Sequence, residues 1–309
     1  MIFTSVKMNR LIFSKSRLVL LLLLMSLIIN TSIAQDNHTC IEPKTWLIPA
    51  SGHAVDKNSV LNDVLKHRLI MLGEHHQNTE HHSWHLDMIS DIDMQKENME
   101  LAIEMLPRSA QPVLDQWVSG KLSEAEFIQK SNWNHYWFYD VELYLPVLRY
   151  AKEKGIKIHA LNVERSLFSA VSEQGWEKIP DAKREGLSKP VAGTKPYLIQ
   201  LAKSFRRHQP MAHKELKKEV GEKFARFVEV QLLWDRAMAE GINKALNQPH
   251  KPVVVSIMGS GHMMNGNGAI HQLAAINDLT PVTLIPWDDH LKCDNLKPGF
   301  ATYVYGGQG

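Results

Sequence analysis

Four short, nearly continuous apolar runs, each stopped at once by polar residues or glycine, limit the possible folds of this chain more than anything else in it. They are RLIML (68–72), MELAIEM (99–105), IKIHALN (156–162) and PVVVSIM (252–258), with PVTLIP (281–286) a fifth. A run that is apolar throughout, rather than at every second position, has both faces buried. That is the condition of a strand in a parallel sheet covered by helices. The intervening sequence supplies those helices. SVLNDVLKH (59–67) precedes the first run, and TEHHSWHLDMISDI (79–92) follows it with Trp84, Met88 and Ile92 at i, i+4 and i+8 on one face. AQPVLDQWVSG (110–120) and a Ser123-capped SEAEFIQK follow the second, and VELYLPVLRYAKEKG (141–155) leads into the third. Helix alternating with strand at this spacing predicts an α/β fold with a mainly parallel β-sheet flanked by helices. From about Glu164 to Gln248 only helix-like segments occur. This predicts a smaller helical subdomain (164–248) inserted before the last strands, inside an α/β domain made of 35–163 and 249–309. FATYVYG (300–306) reads as a terminal edge strand.

With 309 residues, 44% of them apolar, the chain is long enough for one large core or a core and a subdomain. The first 34 residues are not expected to contribute. Lys7, Arg10, Lys15 and Arg17 precede the run LVLLLLLMSLII, and Ser32-Ile33-Ala34 offers small residues at −3 and −1 of a cleavage point. About a dozen apolar residues are too few to span a bilayer of roughly 30 Å, so a cleaved signal peptide is expected, an uncleaved anchor being the alternative. Removing those four basic residues takes the formal charge from +2 to −2, and nothing in that balance suggests nucleic acid. Periplasmic or secreted placement follows. In an oxidising compartment the two cysteines, Cys40 and Cys293, are expected to pair and tie the entry segment to the exit segment. Asn37-His38-Thr39 lacks the residues that lipoprotein processing prefers before Cys40, so a lipid anchor there is not expected.

In an open parallel sheet, ligands bind beyond the carboxyl ends of the strands. Here Gly73-Glu74-His75-His76 follows the first strand and Gly259-Ser260-Gly261-His262 follows the fourth. Glu104 ends the second, and Asn162, Glu164 and Arg165 end the third. The pattern G-x-x-H therefore occurs twice, each time directly after an apolar strand. Glycine permits a sharp turn or a close approach, and a histidine three residues on can point back over the strand end. His76, Glu104 and His262 form a candidate metal-binding set for zinc, iron or manganese. Together with Glu74 they equally suit acid/base chemistry, and the bland reading is a pair of strand-to-helix turns with polar caps. His81 and His85 are four apart, but HExxH is absent, and His81, His82 and His85 read as mostly helix surface. Trp133, Tyr136, Trp137, Phe138 and Tyr139 are either the wall of a flat apolar ligand or simply core. In QLLWDRAMA (231–239), Gln231 and Asp235 share one helix face, which turns either to the site or to solvent. There is no G-x-G-x-x-G, Walker loop or G-x-S-x-G, which argues against nucleotide binding and a serine nucleophile.

The stretches MLGEHHQNTEHH, LAIEMLPRSAQ, the Trp133/Trp137 pair followed by YLPVLRYA, QLLWDRAMA and VVVSIMGSGH together resemble the ChaN-like family of exported haem-binding proteins. That family sits in the wider TIKI/TraB superfamily, which also holds erythromycin-esterase-like hydrolases. The resemblance runs from about Ser59 to Pro286. It implies a sheet domain with a smaller helical domain, an envelope location, and haem or iron acquisition, with an outer-membrane haem receptor system as a possible partner. It also implies a homodimer holding stacked haems, with a tyrosine on the iron and a histidine nearby. The paired G-x-x-H and the strand-end glutamate of the superfamily match Gly73 to His76, Gly259 to His262, and Glu104. Tyr197 is the one tyrosine of the helical insert and so the candidate haem ligand, with His208 and His213 as substitutes.

Two function classes follow. In the first the protein binds haem, noncovalently because no CxxCH is present. In the second it is a hydrolase, metal-dependent or metal-free. His76 and His262 would then be ligands or general bases, Glu74 or Glu104 would activate water, and Asn162 or Arg165 would steady negative charge.

Overall fold

The structure is a computed structural model, and it describes residues 40–207, 217–287 and 291–307. The expected signal peptide (1–34), His208 and His213 lie outside the described residues.

Each apolar run is a strand, displaced by a residue or two at its ends. β1 (Trp46–Ile48) and β2 (His53–Val55) form a short hairpin, followed by β3 (Leu69–Glu74), β4 (Met99–Pro107), β5 (Ile158–Asn162), β6 (Val253–Gly259), β7 (Val282–Pro286) and β8 (Tyr303–Tyr305). They make one eight-stranded sheet in the order β2-β1-β8-β7-β3-β6-β4-β5. The pairs β7/β8, β3/β7, β3/β6, β4/β6 and β4/β5 are parallel, and only β1 pairs antiparallel, with β2 and β8. The last strand is therefore internal and not an edge. The hairpin of two three-residue strands, which no apolar run announced, covers its outer side.

The helices are α1 (Lys57–Val64), α2 (Thr79–Asp93), α3 (Gln111–Val118), α4 (Glu124–Ser131), α5 (Trp133–Tyr136) and α6 (Leu145–Lys154). They continue with α7 (Arg165–Gln174), α8 (Lys195–Arg207), α9 (Lys217–Leu246) and α10 (Gly268–Ala274). Ser123 caps α4 in a capping box with Glu126, as its sequence predicts.

Why the strands read as unbroken apolar runs is plain from where alternate residues go. Ile70, Leu72, Leu101, Ile103, Val255 and Ile257 enter a core beneath α1, α2, α3 and α6. Leu69, Met71, Ala102, Val254 and Met258 enter a second core beneath α9 and α10. With a side-chain period of two and helices on both faces, nearly every position of β3 to β7 is buried. Between β5 and β6 the described chain is helical, and a third core of Leu167, Val171, Trp176, Leu187 and Leu233 joins α7 to α9. Helix α9 also lies directly on the sheet: a Cβ at Gly241 would come 2.7 Å from Leu161 Cδ2 and 3.3 Å from its Cα. That contact brings the polar face of α9 to the strand ends. Cys40 and Cys293 form a disulfide across 253 positions, as their placement predicts.

Candidate functional site

The two G-x-x-H turns meet because β3 and β6 are parallel neighbours in register, with Glu74 opposite Gly259. Each glycine makes room for the other turn. A Cβ on Gly73 would lie 2.6 Å from Ser260 Oγ, and one on Gly259 would lie 2.8 Å from His76 Cε1. Close approach, rather than an unusual φ, is what the glycines supply here.

The histidines of the turns are each held by a carboxylate. His76 Nδ1 donates to Glu74 Oε1 at 2.6 Å, and its ring sits edge-on to Trp137 and beside Tyr139, both at 4.8 Å between centroids. His262 Nδ1 donates to Asp235 Oδ1 at 2.6 Å, and its ring tilts against Trp234 at 5.5 Å. His262 Nε2 faces Glu104 Oε1 at 3.6 Å. That oxygen is buried without a hydrogen bond, while Glu104 Oε2 accepts the Gly259 N–H at 2.7 Å. Both histidines open onto a cleft of about 380 Å³ that is also lined by Tyr197, Gln200 and Gln231. The His76 side chain is 22% exposed and that of His262 12%.

Charge in this pocket is distributed by competition between burial and pairing. Burial disfavours the His262 cation, but the Glu104 charge and the Asp235 hydrogen bond and charge outweigh it and push its pKa up to about 9. For His76 the same contest, with the Glu74 hydrogen bond the largest opposing effect, also ends above the ordinary value. Burial would raise the Glu74 carboxyl, yet it is held at about 2, and the hydrogen bond from His76 is the largest of the effects that outweigh burial.

The expected site residues divide clearly. Glu74, His76, Glu104 and His262 are brought together. Asn162 is spent on the backbone: it donates to Glu104 O at 3.1 Å and accepts from Val163 N at 2.9 Å. Arg165 donates to His135 O. Tyr197 is 1% exposed, and its hydroxyl donates to Asp235 Oδ2 at 2.7 Å. Burial and the Asp235 charge push that phenol far above its ordinary pKa. Asp235, left open between site and solvent by the sequence, is wholly buried and belongs to the site. The aromatic tract is divided too, with Trp133 and Trp137 in the core and Phe138 77% exposed beneath the Arg165 guanidinium.

His81, His82 and His85 are not helix surface; they are 1%, 4% and 1% exposed. Asn78 caps α2 only four residues after β3 ends, which presses the first turn of the helix onto the strand end. His82 and His85 share a helix face with buried Ile89 and Ile92, and that i, i+3, i+7, i+10 spacing was available in the sequence as a signal. His82 Nε2 donates to His76 O at 3.0 Å and His85 Nε2 donates to Gly73 O at 2.9 Å. The Nδ1 atoms then face Glu74 Oε2 at 3.6 and 3.5 Å. Among the described residues, Glu74, His82 and His85 are the group whose possible metal-ligand atoms all lie within 4.8 Å of one another. This is a different set from the expected His76, Glu104 and His262. Tyr144, which donates to Glu74 Oε1 at 2.8 Å, had no sequence signal.

No protein of curated function matches the sequence. In structure the chain is similar to ChaN of Campylobacter jejuni, solved with cofacially bound haem. The TM-score is 0.66 at 19% identity, covering 84% of this chain and 95% of that one. Lesser similarity extends to an open-conformation mutant of the erythromycin esterase EreC (TM-score 0.45, 11% identity, 78% and 76% covered) and to the type III effector HopBA1 (TM-score 0.44, 10% identity, 81% and 92% covered). Residues 60–273 match the family described as haem-binding uptake, Tiki superfamily, ChaN. On that match, which takes in both G-x-x-H turns, Glu104 and Asp235, the chain belongs to the ChaN family of haem-binding uptake proteins in the Tiki superfamily.

Proposed function

We propose that the protein binds haem noncovalently and serves haem or iron uptake outside the cytoplasm. Membership of the haem-binding family is the observation that carries this reading. One groove of the structure supports this reading. A groove of about 970 Å³ lies between α7, the end of α8 and the start of α9, walled by Phe168, Phe205, Phe227 and Val230 with Lys223 and Arg226 in its lining. A haem needs a flat apolar slot, cations for two carboxylates, and an axial donor. The described residues supply apolar walls and two cations, of which Arg226 is already paired with Glu229, and Glu173 and Glu222 also line the groove; none of those lining it is a His, Tyr, Met or Cys. Phe205 stands three residues before His208 in the chain. The proposed iron ligand is therefore His208 or His213, because Tyr197 would first have to leave Asp235 and ionise in a buried position. A haemin titration followed by absorbance tests this. We expect a saturable Soret shift in the wild type and in Tyr197→Phe, weakened in His208→Ala/His213→Ala. No shift in the wild type would remove the reading, and loss in Tyr197→Phe alone would return the ligand to Tyr197.

Export and a haem-dependent homodimer belong to the same proposal. The disulfide supports an oxidising compartment, and a Cys40 sulfur held by Cys293 is not available for a lipid thioether. Cell fractionation with the mass of the mature N-terminus, and gel filtration with and without haemin, are the tests. A second reading, hydrolysis, is favoured by one observation: two carboxylate-backed histidines, His76 and His262, open onto a common cleft. Ester or peptide turnover that disappears in His262→Ala would support it.

A further inference from the structure

We propose that Glu74, His82 and His85 form a buried site for one divalent metal ion of the zinc class, behind the cleft that His76 and His262 face and joined to it through Glu74. The first ground is the spacing of the three donors. His82 Nδ1 and His85 Nδ1 stand 3.6 and 3.5 Å from Glu74 Oε2. A charged N–H···O⁻ hydrogen bond would close to about 2.7–2.9 Å. Two ligands of a tetrahedral zinc, each about 2.0–2.1 Å from the ion, lie about 3.4 Å apart. The observed separations are therefore too long for hydrogen bonds and match an edge of a coordination tetrahedron.

The second ground is which atoms are already used. His82 and His85 both give their Nε2–H to backbone carbonyls, those of His76 and Gly73. In the neutral ring this leaves Nδ1 bare, and it repeats the way metal-bound histidines are held by a carbonyl or carboxylate behind them. Glu74 Oε1 accepts from His76 and Tyr144, whereas Oε2 is buried with no hydrogen bond. Three acceptor atoms thus converge with no donor among them, an arrangement that burial makes costly unless a cation sits between them. The mixed nitrogen and oxygen set suits zinc and its spectroscopic substitute cobalt.

Such an ion would tie α2 to the end of β3. It would also fix the Glu74 carboxylate whose other oxygen orients His76, which makes it a positioning metal for the cleft.

The test is elemental analysis of the purified protein, as isolated and after chelation and reloading with Zn²⁺ or Co²⁺. We expect about one ion per chain and, for Co²⁺, the visible absorption of a four-coordinate site. The ion should persist in His76→Ala and His262→Ala. In His82→Gln and His85→Gln its affinity should fall by more than the ~10–100-fold caused by losing a supporting hydrogen bond. Failure of the wild type to hold either ion stoichiometrically would overturn the proposal, as would an ion lost in His262→Ala but kept in His85→Gln. If the glutamine variants do not fold, X-ray absorption of the zinc form of His262→Ala decides, since His76, Glu104 and His262 would give the wild type the same shell: two imidazoles with oxygen in that variant supports the site, and a shell with one imidazole or sulfur overturns it. None of these outcomes depends on haem binding.

Discussion

Replacing Asp235 by Asn should remove part of a pH-dependent contribution to this protein's stability. Asp235 is fully buried, accepts from Tyr197 and pairs with His262. Asn keeps the shape and can still accept from Tyr197, so the change removes charge with little change in packing. In the wild type the His262 pKa is about 9 against an ordinary 6.5. A pKa raised on folding contributes stability that is fully present below the unfolded value and is lost as pH rises through the folded one. The window is therefore pH 6.5 to 9. At 1.36 kcal/mol per unit, the shift corresponds to roughly 3 kcal/mol, and the 12% exposure of the side chain leaves solvent little part in screening it. The substitution removes the charged hydrogen bond and one of the two charges that raise the pKa, and Glu104 keeps its part. Urea unfolding at pH 6 should thus show Asp235→Asn less stable by up to about 3 kcal/mol, with the difference shrinking towards zero by about pH 9.5. The His262 ring resonances should titrate at lower pH in the variant. An equal cost at both pH values, or an unmoved His262 titration, would refute the coupling.

Gly259→Ala should cost about 1–3 kcal/mol, because its Cβ would lie 2.8 Å from the His76 ring and overpacking of that kind has this magnitude. Urea unfolding reads the loss, and an unchanged His76 environment by NMR would count against the proposed reciprocity of the two turns. Removing the disulfide with Cys40→Ser/Cys293→Ser should lower stability by up to about 5 kcal/mol, since the closed loop spans 253 positions. A change below about 1 kcal/mol would mean that the unfolded chain gains little freedom from losing the crosslink.

How much of this was legible beforehand depended on the kind of signal. The strands β3 to β7 announced themselves because burial on both faces writes an apolar letter at most positions, and Ser123 announced a helix start through its partner three residues on. The β1/β2 hairpin wrote nothing readable: each strand has three residues, and β2 is largely exposed. For that reason β8 looked like an edge, although it lies between β1 and β7. At the site, G-x-x-H could be read because glycine and histidine are both unusual directly after an apolar strand. His82 and His85 were misplaced because polar residues near a helix start are usually solvated, and only their spacing with Ile89 and Ile92 said otherwise.

Local sequence was enough for the class of fold and for placing Glu74, His76, Glu104 and His262 at strand ends that could meet. These depend on periodicity over a few residues and on the reach of a short turn. What each of those groups is joined to was left to the packing of distant segments. Asp235 lies 27 positions before His262, and Tyr144 lies 70 after Glu74. Such pairs are chosen by the crossing of α9 over the sheet and by the packing of the chain around α6 against β3. The charge state of a buried histidine follows from those distant partners, and no property of its own neighbours in sequence fixes it.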